Sequence, residues 1–148
     1  MPEQVVELAR GGDPCQKRLA AGLRRQPRLV ICGGVARVLV PPGSHAWTLG
    51  RTVFVAGPAW RVESTATILL IAHECVHVAQ WYEQGTSGFL SSYVGAYLAG
   101  RFRHRLGHWA AYELIPAEVE AYSVQSGLNR ILDRNSSDSD VSDERKTK

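Results

Sequence analysis

His73-Glu74-Cys75-Val76-His77 sets two imidazoles four residues apart, with a carboxylate directly after the first. On an α-helix, residues four apart stand one above the other, about 6 Å along the axis and about 40° around it, so both imidazoles can meet one cation. Glu74 is rotated about 100° from His73, outside the ligand set but within reach of a water at an open coordination position. Zinc held this way lowers the pKa of a water to about 7, and a neighbouring carboxylate can take its proton. With five His in 148 residues, the pattern is expected by chance roughly 0.01 times in such a chain. Two blander explanations stand beside hydrolysis: a buried helix with two hydrogen-bonded histidines, and a metal bound without catalysis.

A third protein ligand is needed if one position is to stay open. Glu113, Glu118 and Glu120 are the candidates. Glu118 and Glu120 are about 200° apart on a helix and cannot both face one ion, and periodicity does not choose between them. Tyr112 and Tyr122 are candidate hydrogen-bond donors to the oxyanion of a tetrahedral intermediate. His104 and His108 are also four apart, but no carboxylate lies between them and Arg101, Arg103 and Arg105 repel a cation.

The elements that must position these groups follow from patterning. From about Val62 to Gln84 the chain is apolar on nearly every side, as a buried helix is, and its only formal charge between Ser64 and Gln80 is Glu74. A lone carboxylate there is costly unless something compensates it. Gly85 ends this helix and a second begins near Ser87, while a third opens at Pro116 with Ala117, Ala121, Val124, Leu128 and Ile131 at core spacing. Upstream, Leu29–Cys32, Val35–Val40, His45–Leu49 and Thr52–Ala56 read as strands of two hairpins turning at Gly33-Gly34 and Gly50-Arg51. The predicted fold is α+β: a small antiparallel sheet packed on a central metal-binding helix, with two further helices. Residues 1–27 read as a lead-in, 28–133 as the domain, and 134–148, rich in Ser, Asp, Arg and Lys, as a disordered tail. The strand Thr52–Ala56 is the expected sheet edge for an extended substrate.

The motif and its surroundings resemble the zincin metallopeptidases, in particular the gluzincin-like group whose third ligand is a glutamate on a later helix. Glu118-Val119-Glu120-Ala121 is similar to that group's Glu-x-x-Ala context, which implies Glu118 as the ligand. Tyr122 stands where many such proteins carry an acidic residue supporting a ligand histidine. More narrowly, Trp47–Val55 followed by Leu69–Gln80 resembles the short metallopeptidase-like domain found near bacterial contractile injection systems and polymorphic toxins. The resemblance spans roughly Arg28 to Gln125. It implies a zincin-like fold, Zn²⁺ held by His73, His77 and Glu118, Glu74 as general base, and hydrolysis of a peptide bond. It also implies a peptide or protein substrate, a secretion-system or toxin-system partner, and delivery by a specialised secretion system.

Composition bounds the alternatives. A chain of 148 residues, 45% apolar and 21% charged, is one domain's worth and folds without needing a disulfide. Cys15, Cys32 and Cys75 are odd in number and lack Cys-x-x-Cys spacing, which suits reduced thiols and a cytoplasmic location. Met1–Arg10 carries Glu3 and Glu7 and no apolar core, so a secretory signal peptide is not expected. No membrane span is expected either, since Thr86–Gly100 is uncharged over only 15 residues. Arg24, Arg25, Arg28 and the Arg101–Arg105 cluster raise the rival of a nucleic-acid or membrane-surface binder, but a net charge of +3 with no nucleic-acid signature argues against it. A non-catalytic, zinc-stabilised interaction module is the other rival.

Overall fold

A computed structural model describes residues 1–34, 44–60 and 64–144, with side chains through residue 135. The expected strand Val35–Val40 and the Pro41-Pro42-Gly43 break lie outside the described residues, as does Val62. Two short helices come first, α1 (Glu3–Leu8) and α2 (Pro14–Leu23). Asp13 caps α2: its side chain accepts from the Cys15 amide at 2.8 Å, Gln16 reaches back to the Asp13 amide, and Pro14 fills the first turn. Val5, Leu8 and Leu19 are buried in the same core as the central helix, so residues 3–23 are part of the packed fold rather than a separate lead-in.

Among the described residues three strands form the sheet: β1 (Arg28–Cys32), β2 (Ala46–Leu49) and β3 (Thr52–Ala56), in the order β1-β3-β2. The Gly50-Arg51 turn joins β2 and β3 as an antiparallel pair with Leu49 opposite Thr52. β1 instead runs parallel to β3, from Arg28 opposite Thr52 to Cys32 opposite Ala56, so the sheet is mixed and not wholly antiparallel. The physical reason is that β3's second edge stays free after the hairpin closes, and β1 takes it along the chain direction. β3 is therefore central, and the expectation that Thr52–Ala56 is an edge is corrected: among the described strands, β1 and β2 are the outer ones. Val53 and Val55, two residues apart, bury one face of β3 against Val78 of the central helix.

That helix, α3, runs from Thr65 to Leu98 with one interruption at Gly85 (φ 69°, ψ 167°), a conformation open essentially to glycine alone. A straight helix would carry Phe89 about 18 Å beyond His77. The two rings lie 6.3 Å apart instead, so the chain folds back at Gly85 and lays its second arm over the first. Trp81 Nε1 donates to Thr86 Oγ1 across the bend at 3.2 Å.

A short helix, α4 (His108–Glu113), precedes α5 (Pro116–Glu144), whose Ala121, Val124 and Leu128 complete the core against Ile68, Ile71 and Ala72. Helical backbone continues to Glu144, beyond Arg134 where the patterning predicts a disordered tail. Extending an existing helix adds a backbone hydrogen bond per residue without needing an apolar face. Among the described residues, no helix is long and apolar enough to cross a membrane.

Candidate metal centre

Because α3 is buried on all sides from Ile71 to Trp81, its polar residues there have nowhere to go but inward. His73, Glu74 and His77 are 5%, 4% and 6% exposed, and Glu118, projecting from the first turns of α5, is 1% exposed. The two Nε2 atoms are 3.1 Å apart. Glu118 Oε2 lies 3.3 Å from His73 Nε2, and Oε1 lies 3.3 Å from His77 Nε2. Tetrahedral sites with metal bonds near 2.0–2.1 Å place their ligand atoms about 3.3 Å apart, so these three residues can hold a metal ion.

The hydrogen bonds around the site fix which imidazole atoms are offered. Gln80 Nε2 donates to the Ala117 carbonyl at 3.0 Å and to Glu120 Oε2 at 2.8 Å, which turns Gln80 Oε1 toward His77 Nδ1 at 2.8 Å. An amide oxygen only accepts, so Nδ1 carries the proton and Nε2 presents its lone pair. Gln125 Oε1 stands in the same relation to His73 Nδ1, at 3.0 Å. Two lone pairs facing each other at this distance repel unless something cationic joins them. Glu118 Oε2 is moreover buried with no hydrogen-bond partner, an acceptor that a cation would satisfy. The donor set therefore fits a divalent metal.

Electrostatics point the same way. Burial disfavours a charged His77, yet the hydrogen bond that the protonated ring donates to Glu118 and the charges of Glu74 and Glu118 outweigh it and raise its pKa to about 9. Burial opposes ionisation of Glu118 too, but the His73 and His77 rings beside it and the hydrogen bond from Tyr93 hold it far below the usual carboxylate range. The Tyr93 hydroxyl donates to Glu118 Oε1 at 2.6 Å. Burial, then the charge of Glu118, pushes the Tyr93 and Tyr112 phenols up, so both remain donors.

Glu74 stands beside this triad and is held from the sheet: Thr48 Oγ1 of β2 donates to Oε2 at 2.7 Å, leaving Oε1 free to accept. Glu74, His77 and Glu118 open into a cavity of about 500 Å³ bounded by β2, both arms of α3, and α4. Tyr112 is in its wall. Tyr122 instead packs edge-on against His73, with ring centres 4.7 Å apart. Glu120 points away from the ligand set, its Oε1 2.6 Å from Arg18 Nε, and Glu113 is exposed. His104 lies in a bend before α4 and His108 is the first residue of α4, where its Nδ1 pairs with the Tyr97 hydroxyl at 2.9 Å.

Sequence reading missed Gln80, Gln125, Thr48 and Tyr93. Two of them carried a signal. Gln80 follows His77 by three residues and Gln125 follows Glu118 by seven, so each shares a helix face with a ligand. Thr48 and Tyr93 carry none, because their roles arise only from what the fold sets opposite them.

Residues 35–85 match the family model described as the eCIS core domain, which links the chain to contractile injection systems. The matched stretch contains His73, Glu74, His77, Thr48 and Gln80 and ends before Glu118. No curated protein and no solved structure matches the chain.

Proposed function

We propose that the chain hydrolyses peptide bonds with zinc at the His73, His77, Glu118 site, within a contractile injection system. What supports this most is one juxtaposition: three convergent ligand atoms and, beside them, a buried carboxylate with one oxygen tied down and the other free, all at the floor of a cavity. Zinc in this site would supply Lewis acidity, polarising a substrate carbonyl and acidifying a water. The chain's own residues do the rest. Glu74 Oε1 accepts the proton of the attacking water and returns it to the leaving amine, while Thr48 keeps the carboxylate aimed. Tyr93 holds Glu118 through Oε1, and Gln80 and Gln125 keep both histidines in the ligating tautomer. Tyr112, in the cavity wall, is placed to donate to the carbonyl oxygen as charge develops on it. β2, the outer of the described strands on the cavity side, can align an extended substrate.

The eCIS core match favours a second reading, an interaction module that zinc merely stabilises. Glu74→Gln separates the two. A hydrolase keeps stoichiometric zinc, measured by metal analysis, while peptide turnover falls at least about 100-fold. Unchanged turnover in the variant removes the proposed base. In the same preparations His77→Ala and Glu118→Ala should lose zinc, and Glu120→Ala should retain one equivalent, bound less tightly because Gln80 loses an acceptor.

A further inference from the structure

The second arm of α3 turns Phe89, Tyr93 and Gly100 inward, against His77, Glu118 and Ala111. About 80–160° around the helix from these, Leu90, Val94 and Leu98 stand at every fourth position, 44%, 49% and 44% exposed. Ser87, Ser91 and Gly95 fill the outer face beside them, so it carries no charge where a surface helix ordinarily does. Phe102, four residues after Leu98, is 77% exposed between Arg101 and Arg103. A second observation is independent of this apolar row. From Gln84 to Tyr112 the chain has three arginines, at 101, 103 and 105, and no acidic residue. Arg101 donates to the Leu106 carbonyl, and among the described residues no carboxylate pairs with any of the three. The acids that bracket the stretch are Glu83, which pairs with Arg18 of α2, and Glu113 of α4.

We propose that this face, the row from Leu90 to Phe102 with the arginines at its end, docks on an anionic lipid bilayer. The inference goes beyond the hydrolase reading and does not rest on it. Charge selects the occupant. A second copy of the chain, seated here about a twofold axis, would bring the arginines of both copies together with no carboxylate to offset them. Nucleic acid would satisfy the arginines and leave the leucine row in water. An anionic bilayer meets both halves of the face: the apolar side chains reach the acyl boundary, while the guanidinium heads stay at phosphate level with their stems over the apolar layer. The serines and glycine between them bring no charge that would have to be desolvated. The whole-chain charge of +3 understates the attraction, because fields decay within about 8 Å at physiological salt and only charges at the contact count.

Co-sedimentation of the full chain with phosphatidylcholine vesicles, with and without about 30% phosphatidylglycerol, tests this. At physiological salt the chain should bind the anionic vesicles at least about tenfold more strongly, and raising salt to about 0.5 M should reduce that preference severalfold. Arg103→Gln with Arg105→Gln should weaken the binding at least about fivefold, and so should Phe102→Ser, a change exposed enough to leave the melting temperature at its parent value. Lys17→Gln with Arg24→Gln removes equal charge from α2 and its cap. That helix meets α3 at Cys75, about 160° around from His77, where the second arm meets it, so this pair should change binding less than about twofold. Equal binding to both vesicles, parent-like binding by the Arg103, Arg105 pair or by Phe102→Ser, or an equal loss in the α2 pair overturns the proposal. Polyglutamate and a 20-base-pair DNA duplex, each added at the charge of the vesicles, should fail to release the chain. Release by either one, with binding to that polymer unaffected by Phe102→Ser, assigns the arginines to an acidic protein or to nucleic acid and overturns the bilayer. No peptide cleavage is read, so failure of Glu74 as a base leaves this result standing, and failure here leaves the metal site untouched.

Discussion

Gln80 and Gln125 support the two histidines with neutral amides where many metal sites use a carboxylate. The consequence is a charge balance: the buried anions near the site are Glu74 and Glu118, and one divalent cation offsets both. Without the metal, a proton on His77 serves instead, which predicts a pH dependence of defined sign. His77 has a folded pKa of about 9 against an ordinary 6.5, so its contribution to stability is complete below pH 6.5 and is lost as pH rises through 9. Glu118 is its partner in the same interaction. Depressed from an ordinary 4.5, it contributes throughout that span and loses its part only in strong acid. The melting temperature of metal-free protein, followed by circular dichroism in chelator, should therefore fall between pH 6.5 and 9. With zinc bound, the trend reverses or flattens, because protons compete with the metal for the imidazoles. A chelated sample whose melting temperature rises over this span would contradict the assigned pairing. His73, Glu74 and His77 were legible in the sequence because charge and spacing are visible in one segment, and Glu118 only through a resemblance. The amides and Thr48 were not, since a neutral residue becomes a support only when tertiary structure supplies its partner.

Helix starts and turns were equally local and equally legible: Pro116 opens α5 and Gly50-Arg51 turns the hairpin, as their chemistry requires. What patterning could not supply was direction. A strand's own residues do not say whether its neighbour runs with it or against it, hence the parallel β1. Nor does a glycine between two helical stretches say how far the chain turns, and the fold-back at Gly85 is what brings Phe89 and Tyr93 to the site. The contact between α2 and α3 is a third such case. A Cβ on Gly22 would stand 1.9 Å from the Cys75 carbonyl oxygen, so the helices meet backbone to backbone at a residue lying between the two histidines. Cys75 is fully buried there, its thiol pushed up to about 12 by burial and then by Glu74, which makes it inert packing rather than a nucleophile. Gly22→Ala should destabilise the fold by about 1–3 kcal/mol through overpacking. It should also weaken metal binding, since relief requires α3 to shift at the motif itself. Gly12→Ala, where an added Cβ meets nothing within 4 Å, is the control. Denaturant melts and competitive zinc titration of both variants check the pair, and a Gly22→Ala protein as stable as the control would show that the helices separate freely.

The site belongs to the whole chain more than to its motif. The eCIS core match covers residues 35–85, yet Glu118, the third member of the cluster that could hold a metal, and the support for His73, Gln125, lie on α5, beyond it. On the other side of the match, Arg18 of α2 pairs with Glu83 of α3 and Glu120 of α5, and Glu120 in turn accepts from the Gln80 amide that orients His77. An unbroken line of polar contacts thus runs from the first helices to Nδ1 of the His77 ring, the nitrogen opposite the ligating one. Those helices also bury Val5, Leu8 and Leu19 against α3 and α5. At about 1.5–3 kcal/mol for each fully buried side chain, three such residues amount to a large share of the roughly 5–15 kcal/mol that holds a domain together. A chain starting at Arg28, the boundary that patterning alone suggests, should therefore lose cooperative thermal unfolding or melt far lower than the full chain. It should hold zinc substoichiometrically even though all three ligands remain. Arg18→Met in the full chain separates the two contributions: it retains the apolar packing and removes the polar line, so folding should persist while zinc affinity falls. If the shortened chain melts sharply and keeps one zinc, the first two helices are an attachment and the site is organised by α3 and α5 alone.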